Sequence, residues 1–269
     1  MMAKNNIPEA SYGILIQNQT DSVIDEVVEQ IRMLGYGVID SGYSSSELKK
    51  FSEVFNHTRA EYIKNQGEEK LRAANEYNTI RAPLTHGDEA FLRLALNKNL
   101  LPVIKKLIMG KFILNQQNGV INPPGETYNQ AAWHRDIPYQ HFVSSMPVAI
   151  NALFCVDDFT YENGSTFLLP ASHKTEAFPS AHFIKNNAVQ IEAKAGSFII
   201  LDCMVFHSGG FNSTGSERRA VNHLYNIPFF KQQINIPRIM PDVSLTDEEK
   251  EILGFTFQEF NSVSEYLSR

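Results

Sequence analysis

The sequence has almost no cysteine. Only Cys155 and Cys203 occur in 269 residues, each inside an apolar run and neither at the spacing of a metal knuckle. Two thiols are too few for a disulfide scaffold, so both read as reduced core residues. Long apolar runs are also missing: no stretch approaches the ~20 residues that a membrane span needs. The opening residues, Met1 to Ser11, lack the charged-then-apolar order of a secretory signal. A cytoplasmic protein with no membrane partner is the expectation. Nor is there a basic excess. The formal net charge is −6, which argues against a nucleic-acid partner, because phosphate binding requires clustered Lys and Arg. A local basic pocket for a small anion stays open. No internal repeat, low-complexity tract or Gly/Ser linker divides the chain. Its length suffices for a large buried core, and a single domain over residues 1–269 is expected.

What is present falls into three parts. The first 110 residues read as mostly helical. Asp21 can cap a helix whose apolar face is Ile24, Val27, Val28, Ile31 and Leu34, at helical spacing. Gly35 to Asp40 reads as a short strand. Ser44 and Glu47 make a capping box for a second helix that buries Leu48, Phe51 and Phe55. A further helix is expected from Asp88 to Met109. From 111 to 230 the pattern changes to short β-type runs: 112–122, 148–156, 165–169, 188–192, 197–201 and 220–227. Pro123-Pro124-Gly125 and Glu162-Asn163-Gly164 punctuate them as turns. Many short strands at regular spacing point to a barrel or double-sheet jelly roll. Residues 231–269 form a C-terminal extension, with a helix expected from Thr246 to Leu267 behind a Thr246/Glu249 capping box. The fold class is therefore mainly β with flanking helices around a double-stranded β-helix, a cupin-like jelly roll.

The chemistry is concentrated in Trp133-His134-Arg135-Asp136, in His207 within Phe206-His207-Ser208-Gly209-Gly210, and in Arg218 eleven residues later. On an extended segment His134 and Asp136 leave the same face, so both can reach one metal ion. An isolated His-x-Asp is common by chance and reads equally well as a surface pair. A strand-terminal His207 and a trailing arginine change that reading. Two imidazoles and a carboxylate form the facial set that holds iron and leaves positions for substrates. Arg218 opens a β-run and can point into the barrel, where a buried guanidinium calls for an anionic ligand or a carboxylate partner. The set suggests an oxygenase that uses an organic acid as co-substrate.

The chain resembles the phytanoyl-CoA dioxygenase (PhyH-like) family of Fe(II)/2-oxoglutarate-dependent oxygenases. Trp133 to Asp136, Val156 to Ser165 with Leu169 to Lys174, and Ala195 to Phe198 leading through His207 to Arg218-Arg219-Ala220 carry the resemblance, over roughly residues 33 to 230. It implies Fe(II), 2-oxoglutarate and dioxygen as cofactor and co-substrates. It implies that His134, Asp136 and His207 are the iron ligands and that Arg218 grips the distal carboxylate of 2-oxoglutarate; Arg219, on the opposite strand face, is the weaker choice. Gln117 and Thr166 are further candidates near the co-substrate. Family members often place a hydroxyl residue two after the distal His; here that position is Gly209, and Ser208 or Thr166 are candidate substitutes.

By the same resemblance, oxidative decarboxylation of 2-oxoglutarate to succinate and carbon dioxide would drive hydroxylation of an unactivated C–H bond. Related halogenases carry a small residue where this chain has Asp136, which favours hydroxylation; desaturation, cyclisation and epimerisation stay open. Arg81, Tyr139 and Trp133 are candidate substrate contacts, against readings as a solvated charge and two packed aromatics. No large basic face marks a CoA carrier, so the expected partner is a small metabolite or natural-product intermediate. The oligomeric state is open. Two competing readings stand beside this one: another mononuclear metalloenzyme on the same barrel, such as a zinc hydrolase or a 2-oxoglutarate-independent dioxygenase, and a non-catalytic jelly-roll binding protein.

Overall fold

The computed structural model describes residues 7–8, 10–86, 89–137 and 142–268. Nine strands are numbered in chain order: β1 (Tyr36–Asp40), β2 (Thr79–Arg81), β3 (Ile113–Asn122), β4 (Ala149–Cys155), β5 (Phe167–Leu168), β6 (Val189–Gln190), β7 (Ser197–Asp202), β8 (His207–Ser208) and β9 (Arg218–Asn226). They form two antiparallel sheets. The larger has the order β1-β7-β4-β9-β3-β2 and the smaller β6-β5-β8. Around them lie α1 (Val23–Leu34), α2 (Ser45–Gln66), α3 (Glu68–Ala73), α4 (Glu89–Ala95), α5 (Leu100–Ile108), α6 (Ala181–Asn187), α7 (Ile236–Ile239), α8 (Asp247–Ile252) and α9 (Val263–Leu267). The chain is mainly antiparallel sheet with flanking helices, a cupin-type double-stranded β-helix.

The larger sheet is apolar on both faces, which explains why its strands read as continuous hydrophobic runs. In β7, Phe198 and Ile200 join the helix-side core with Phe51, Phe55, Phe91 and Phe154, whereas Ile199 and Leu201 join an inner core with Phe159, Leu168, Ile191 and Val205. The same alternation sorts β9. Ala220 belongs to the inner core and Val221 and Tyr225 to the helix side. Polar residues sharing the inner-face parity therefore project between the sheets, and that is where the candidate ligands converge.

Several boundaries differ from the sequence reading. Ser22, not Asp21, caps α1; its Oγ accepts from Asp25 N. The helix expected over 88–109 is two helices. Asn97 breaks it by turning its Oδ1 onto the backbone N–H groups of Asn99 and Leu100, a side-chain alternative to the helical ladder; Asp88 lies outside the described residues. The Ser44/Glu47 and Thr246/Glu249 capping boxes are both present. The C-terminal helix nevertheless stops at Ile252, because Gly254 adopts a left-handed φ of 90°; a single 3-10 turn follows at Phe255–Phe257, and α-helix resumes at Val263. Strand β2, which pairs with β3, falls within the part expected to be mostly helical. Cys155 and Cys203 are free and buried. Among the described residues no helix is long and apolar enough to cross a membrane.

Candidate active site

Three ligand atoms from His134, Asp136 and His207 lie within 4.8 Å of one another. The site is built from backbone upward. His134 and His207 form an isolated antiparallel bridge, with N–H···O distances of 2.9 and 3.0 Å in the two directions. Asp136 is fixed by its own N–H, which donates to Cys203 O at 3.1 Å. Strand β8 is braced from its other side by β5, where Leu168 pairs with His207.

The tautomers follow from hydrogen bonding. His134 Nδ1 lies 2.7 Å from Ala132 O and His207 Nδ1 3.0 Å from Val205 O. A carbonyl oxygen only accepts, so each Nδ1 carries the proton and each Nε2 presents its lone pair. Both Nε2 atoms face Asp136 Oδ1, at 3.9 and 3.6 Å. The second carboxylate oxygen, Oδ2, accepts from Asn151 Nδ2 at 2.7 Å. Burial holds the His207 imidazole below the ordinary histidine range, and the neighbouring Asp136 carboxylate only partly offsets this. Two neutral imidazoles and one oriented carboxylate oxygen are the donor chemistry that a divalent iron accepts on one face. Site and ion fit.

His134 and His207 line a recess shared with Val120, Tyr128, Thr166, Arg218 and Asn222 among others. Arg218 sits at its closed end, 3% exposed. Its guanidinium lies over the Phe159 ring at 4.1 Å, donates to Gly164 O and donates to Tyr128 Oη at 3.2 Å. Gly164 earns its place there: φ is +73°, and a Cβ would lie 2.3 Å from Gly210 O. Burial pulls the Arg218 guanidinium down from its ordinary value, with Tyr128 opposing. Among the described residues no carboxylate pairs with Arg218, and its Nε has no partner. Asn151 Oδ1 and Asn222 Oδ1, both on the cavity wall, are buried and unpartnered as well. A recess with a buried cation whose Nε–H is unpartnered suits a small anion, while the two amide oxygens call for a donor.

The structure thus brings His134, Asp136, His207, Arg218 and Thr166 together, and leaves other candidates apart. Gln117 is a correction. It is fully buried on the helix side of β3, where Leu84 N donates to its Oε1 at 2.9 Å and its Nε2 donates to Phe91 O at 2.7 Å and to His223 Nε2 at 2.9 Å. Nothing of its amide is left for a co-substrate. Arg81 is engaged by Glu76, with Nε–Oε2 at 2.9 Å, and by Gln233, away from the metal cavity. Trp133 packs on Phe178 with ring centroids 6.1 Å apart. Tyr139 lies outside the described residues. Arg219 points to the helix side and chelates Asp157. Asp202, at the end of β7, is buried. The sequence reading passed over Tyr128, Asn151 and Asn222. Asn151 carried a signal, since it is a polar residue at an inward position of an otherwise apolar strand.

This fold and this donor set define a jelly-roll protein with a candidate mononuclear metal site. Residues 21–220 match the phytanoyl-CoA dioxygenase (PhyH) family, and the chain belongs to that family of Fe/2-oxoglutarate-dependent oxygenases. The family uses Fe(II), 2-oxoglutarate and dioxygen. An uncharacterized protein of Mycobacterium tuberculosis is 26% identical over 261 residues, covering 94% of each chain. Among solved structures, EctD from S. alaskensis with 2-oxoglutarate and 5-hydroxyectoine has the same fold, with a TM-score of 0.64 at 19% identity over 79% of each chain. The epimerase SnoN in complex with Fe3+, alpha ketoglutarate and nogalamycin RO aligns with a TM-score of 0.58 at 17% identity, covering 83% of this chain and 92% of that one. One of these folds carries an epimerase, so fold does not select the reaction.

Proposed function

We propose that this protein hydroxylates an unactivated C–H bond of a small metabolite or natural-product intermediate. The balanced reaction consumes substrate, dioxygen and 2-oxoglutarate and releases the alcohol, succinate and carbon dioxide. The observation that carries the reading is a buried Arg218, with no carboxylate partner among the described residues, lining the same recess as His134 and His207, beside which Asp136 completes the donor set.

In this reading His134 Nε2, Asp136 Oδ1 and His207 Nε2 hold the iron. When bound, iron supplies the redox centre that couples decarboxylation of the 2-oxo acid to reduction of dioxygen. Asn151 occupies Asp136 Oδ2 and so leaves Oδ1 for the metal. Arg218 binds the distal carboxylate of 2-oxoglutarate, orienting the 2-oxo acid end toward the triad. Thr166 and Asn222 complete the recess. The His134 side chain is 31% exposed against 8% for His207, so the primary substrate approaches over His134. The hydrophobic inner sheet behind Leu153 and Leu201 excludes water from the reacting face. An aspartate at position 136, rather than a small residue, leaves no room for halide and favours hydroxylation.

The test is succinate release from anaerobically reconstituted protein given Fe(II), 2-oxoglutarate and oxygen, screened against a metabolite library. A true substrate accelerates turnover, and mass spectrometry of the product then shows a gain of one oxygen atom. No iron- and 2-oxoglutarate-dependent succinate under any condition sinks the proposal.

A further inference from the structure

Gly209 follows His207 by two residues, and the space its side chain would take is filled from elsewhere. A Cβ at Gly209 would lie 2.0 Å from Tyr128 Oη and 2.8 Å from Tyr128 Cζ. No real Cβ sits that close to another heavy atom, so a side chain at 209 and Tyr128 in its present place exclude each other. The approach is fixed by the backbone. Gly209 N donates to Gln130 O at 2.8 Å, and Ser208 Oγ donates to Ala131 O at 2.8 Å.

Tyr128 spends this position on Arg218. The guanidinium Nη2 donates to Tyr128 Oη at 3.2 Å, so the phenol oxygen acts as acceptor. Its own proton is then free to donate, and among the described residues it has no acceptor. Arg218 Nε is likewise unpartnered. Two unused donors, one cationic and one neutral, therefore stand side by side in the lining of the same recess. Ser208 does not compete for this role, because its hydroxyl is committed to Ala131 O and Gly209 O. Thr166 shares the cavity and makes no hydrogen bond to Arg218.

We propose that Tyr128 is a co-substrate-binding residue whose phenol hydroxyl, delivered from the segment before the metal motif, joins Arg218 in holding the distal carboxylate of the 2-oxo acid, with Gly209 kept bare to admit it. The proposal rests on the reading that Arg218 binds that carboxylate. It also explains why a glycine follows the ligand histidine here: the hydroxyl arrives through space from position 128 instead of along the chain from position 209.

The experiment is direct binding of 2-oxoglutarate, and of pyruvate, which lacks the distal carboxylate, to Fe(II)-loaded protein without oxygen. Dissociation constants are read calorimetrically, with thermal midpoint and Fe(II) affinity recorded for every variant. Tyr128→Phe should weaken 2-oxoglutarate on the order of tenfold, the range of one hydrogen bond to a charged group, with pyruvate and Fe(II) binding unchanged. Gly209→Ser alone should also weaken 2-oxoglutarate, through the clash with Tyr128. Combined with Tyr128→Ala it should instead improve binding over Tyr128→Ala, because the new hydroxyl enters the vacated space. Arg218→Met is the control for the parent reading. If it weakens 2-oxoglutarate while Tyr128→Phe does not, the role of Tyr128 is overturned and that of Arg218 stands. If neither change affects 2-oxoglutarate, both fall.

Discussion

His134 and His207 are 73 residues apart in sequence and exchange both of their main-chain hydrogen bonds. Directly opposed residues of an antiparallel pair put their side chains on the same face, which places the two imidazole centroids 4.3 Å apart. The donors are therefore preorganised by sheet hydrogen bonds rather than gathered by the ion. Asp136 joins them through a separate main-chain bond to Cys203, so all three ligands hang on the same strand-end scaffold.

The carboxylate is the one ligand whose rotamer is held by another side chain, and this gives the first prediction. Asn151 Nδ2 donates to Asp136 Oδ2 at 2.7 Å. Asn151→Ala should weaken Fe(II) binding roughly 10- to 100-fold, the usual effect of losing a group that orients a metal ligand. Anaerobic metal titration checks it. Unchanged affinity would mean that Asp136 is positioned by its backbone alone.

The convergence of His134, Asp136 and His207 was legible in the sequence because facial coordination demands fixed residue types, and His134 and Asp136 stand at strand spacing. Arg218 and Arg219 were separable for the same reason: period-two alternation sends one inward and the other to Asp157 and α2. Gln117 was a candidate by resemblance alone, and the face it occupies was hidden because that alternation breaks upstream of it. The β3–β9 register shifts between Leu114 and Gln116, so Leu114 and Ile121, seven residues apart, both face the helices. A bulge of this kind reverses the face of every later residue. Tyr128 was illegible for a different reason. Its hydroxyl replaces one expected 81 positions later, and only three-dimensional contact reveals the exchange.

Asp202 gives a pH-dependent prediction. It ends β7 at 6% exposure, and burial raises its carboxyl to about 6, while Lys174 and Arg135 act from a distance without an ion pair. A carboxyl raised above its ordinary value favours the folded state when protonated. The stabilisation is full below pH 3.8 and is lost as pH rises toward 6. Asp202→Asn should therefore be more stable than the native chain at pH 7 by about 2 kcal/mol, somewhat below the full linkage value for such a shift. The gap should close below about pH 4, where both side chains are neutral. Denaturant unfolding at the two pH values decides the matter, and a gap that widens in acid would show the sign to be wrong.

Gln117 supplies the last prediction, and it separates architecture from chemistry. Its amide accepts from Leu84 N and donates to Phe91 O and His223 Nε2, joining the short turn at Pro83–Thr85, α4 and β9 at a point with no solvent access. Burial holds His223 at about 4, so it stays the neutral acceptor this network needs. Gln117→Leu keeps the volume and strands three buried polar groups at once, which should cost about 3 kcal/mol or more. The thermal midpoint should fall by roughly 6–10 °C for a chain of this size. Gln117→Glu, held neutral by burial, keeps the acceptor for Leu84 N and one O–H donor, and should fall between Gln117→Leu and the native chain. The dissociation constant for 2-oxoglutarate, measured well below the midpoint, should move by less than about twofold in either variant, because the residue faces away from the cavity. A large loss of 2-oxoglutarate affinity at native stability would restore Gln117 to the co-substrate site.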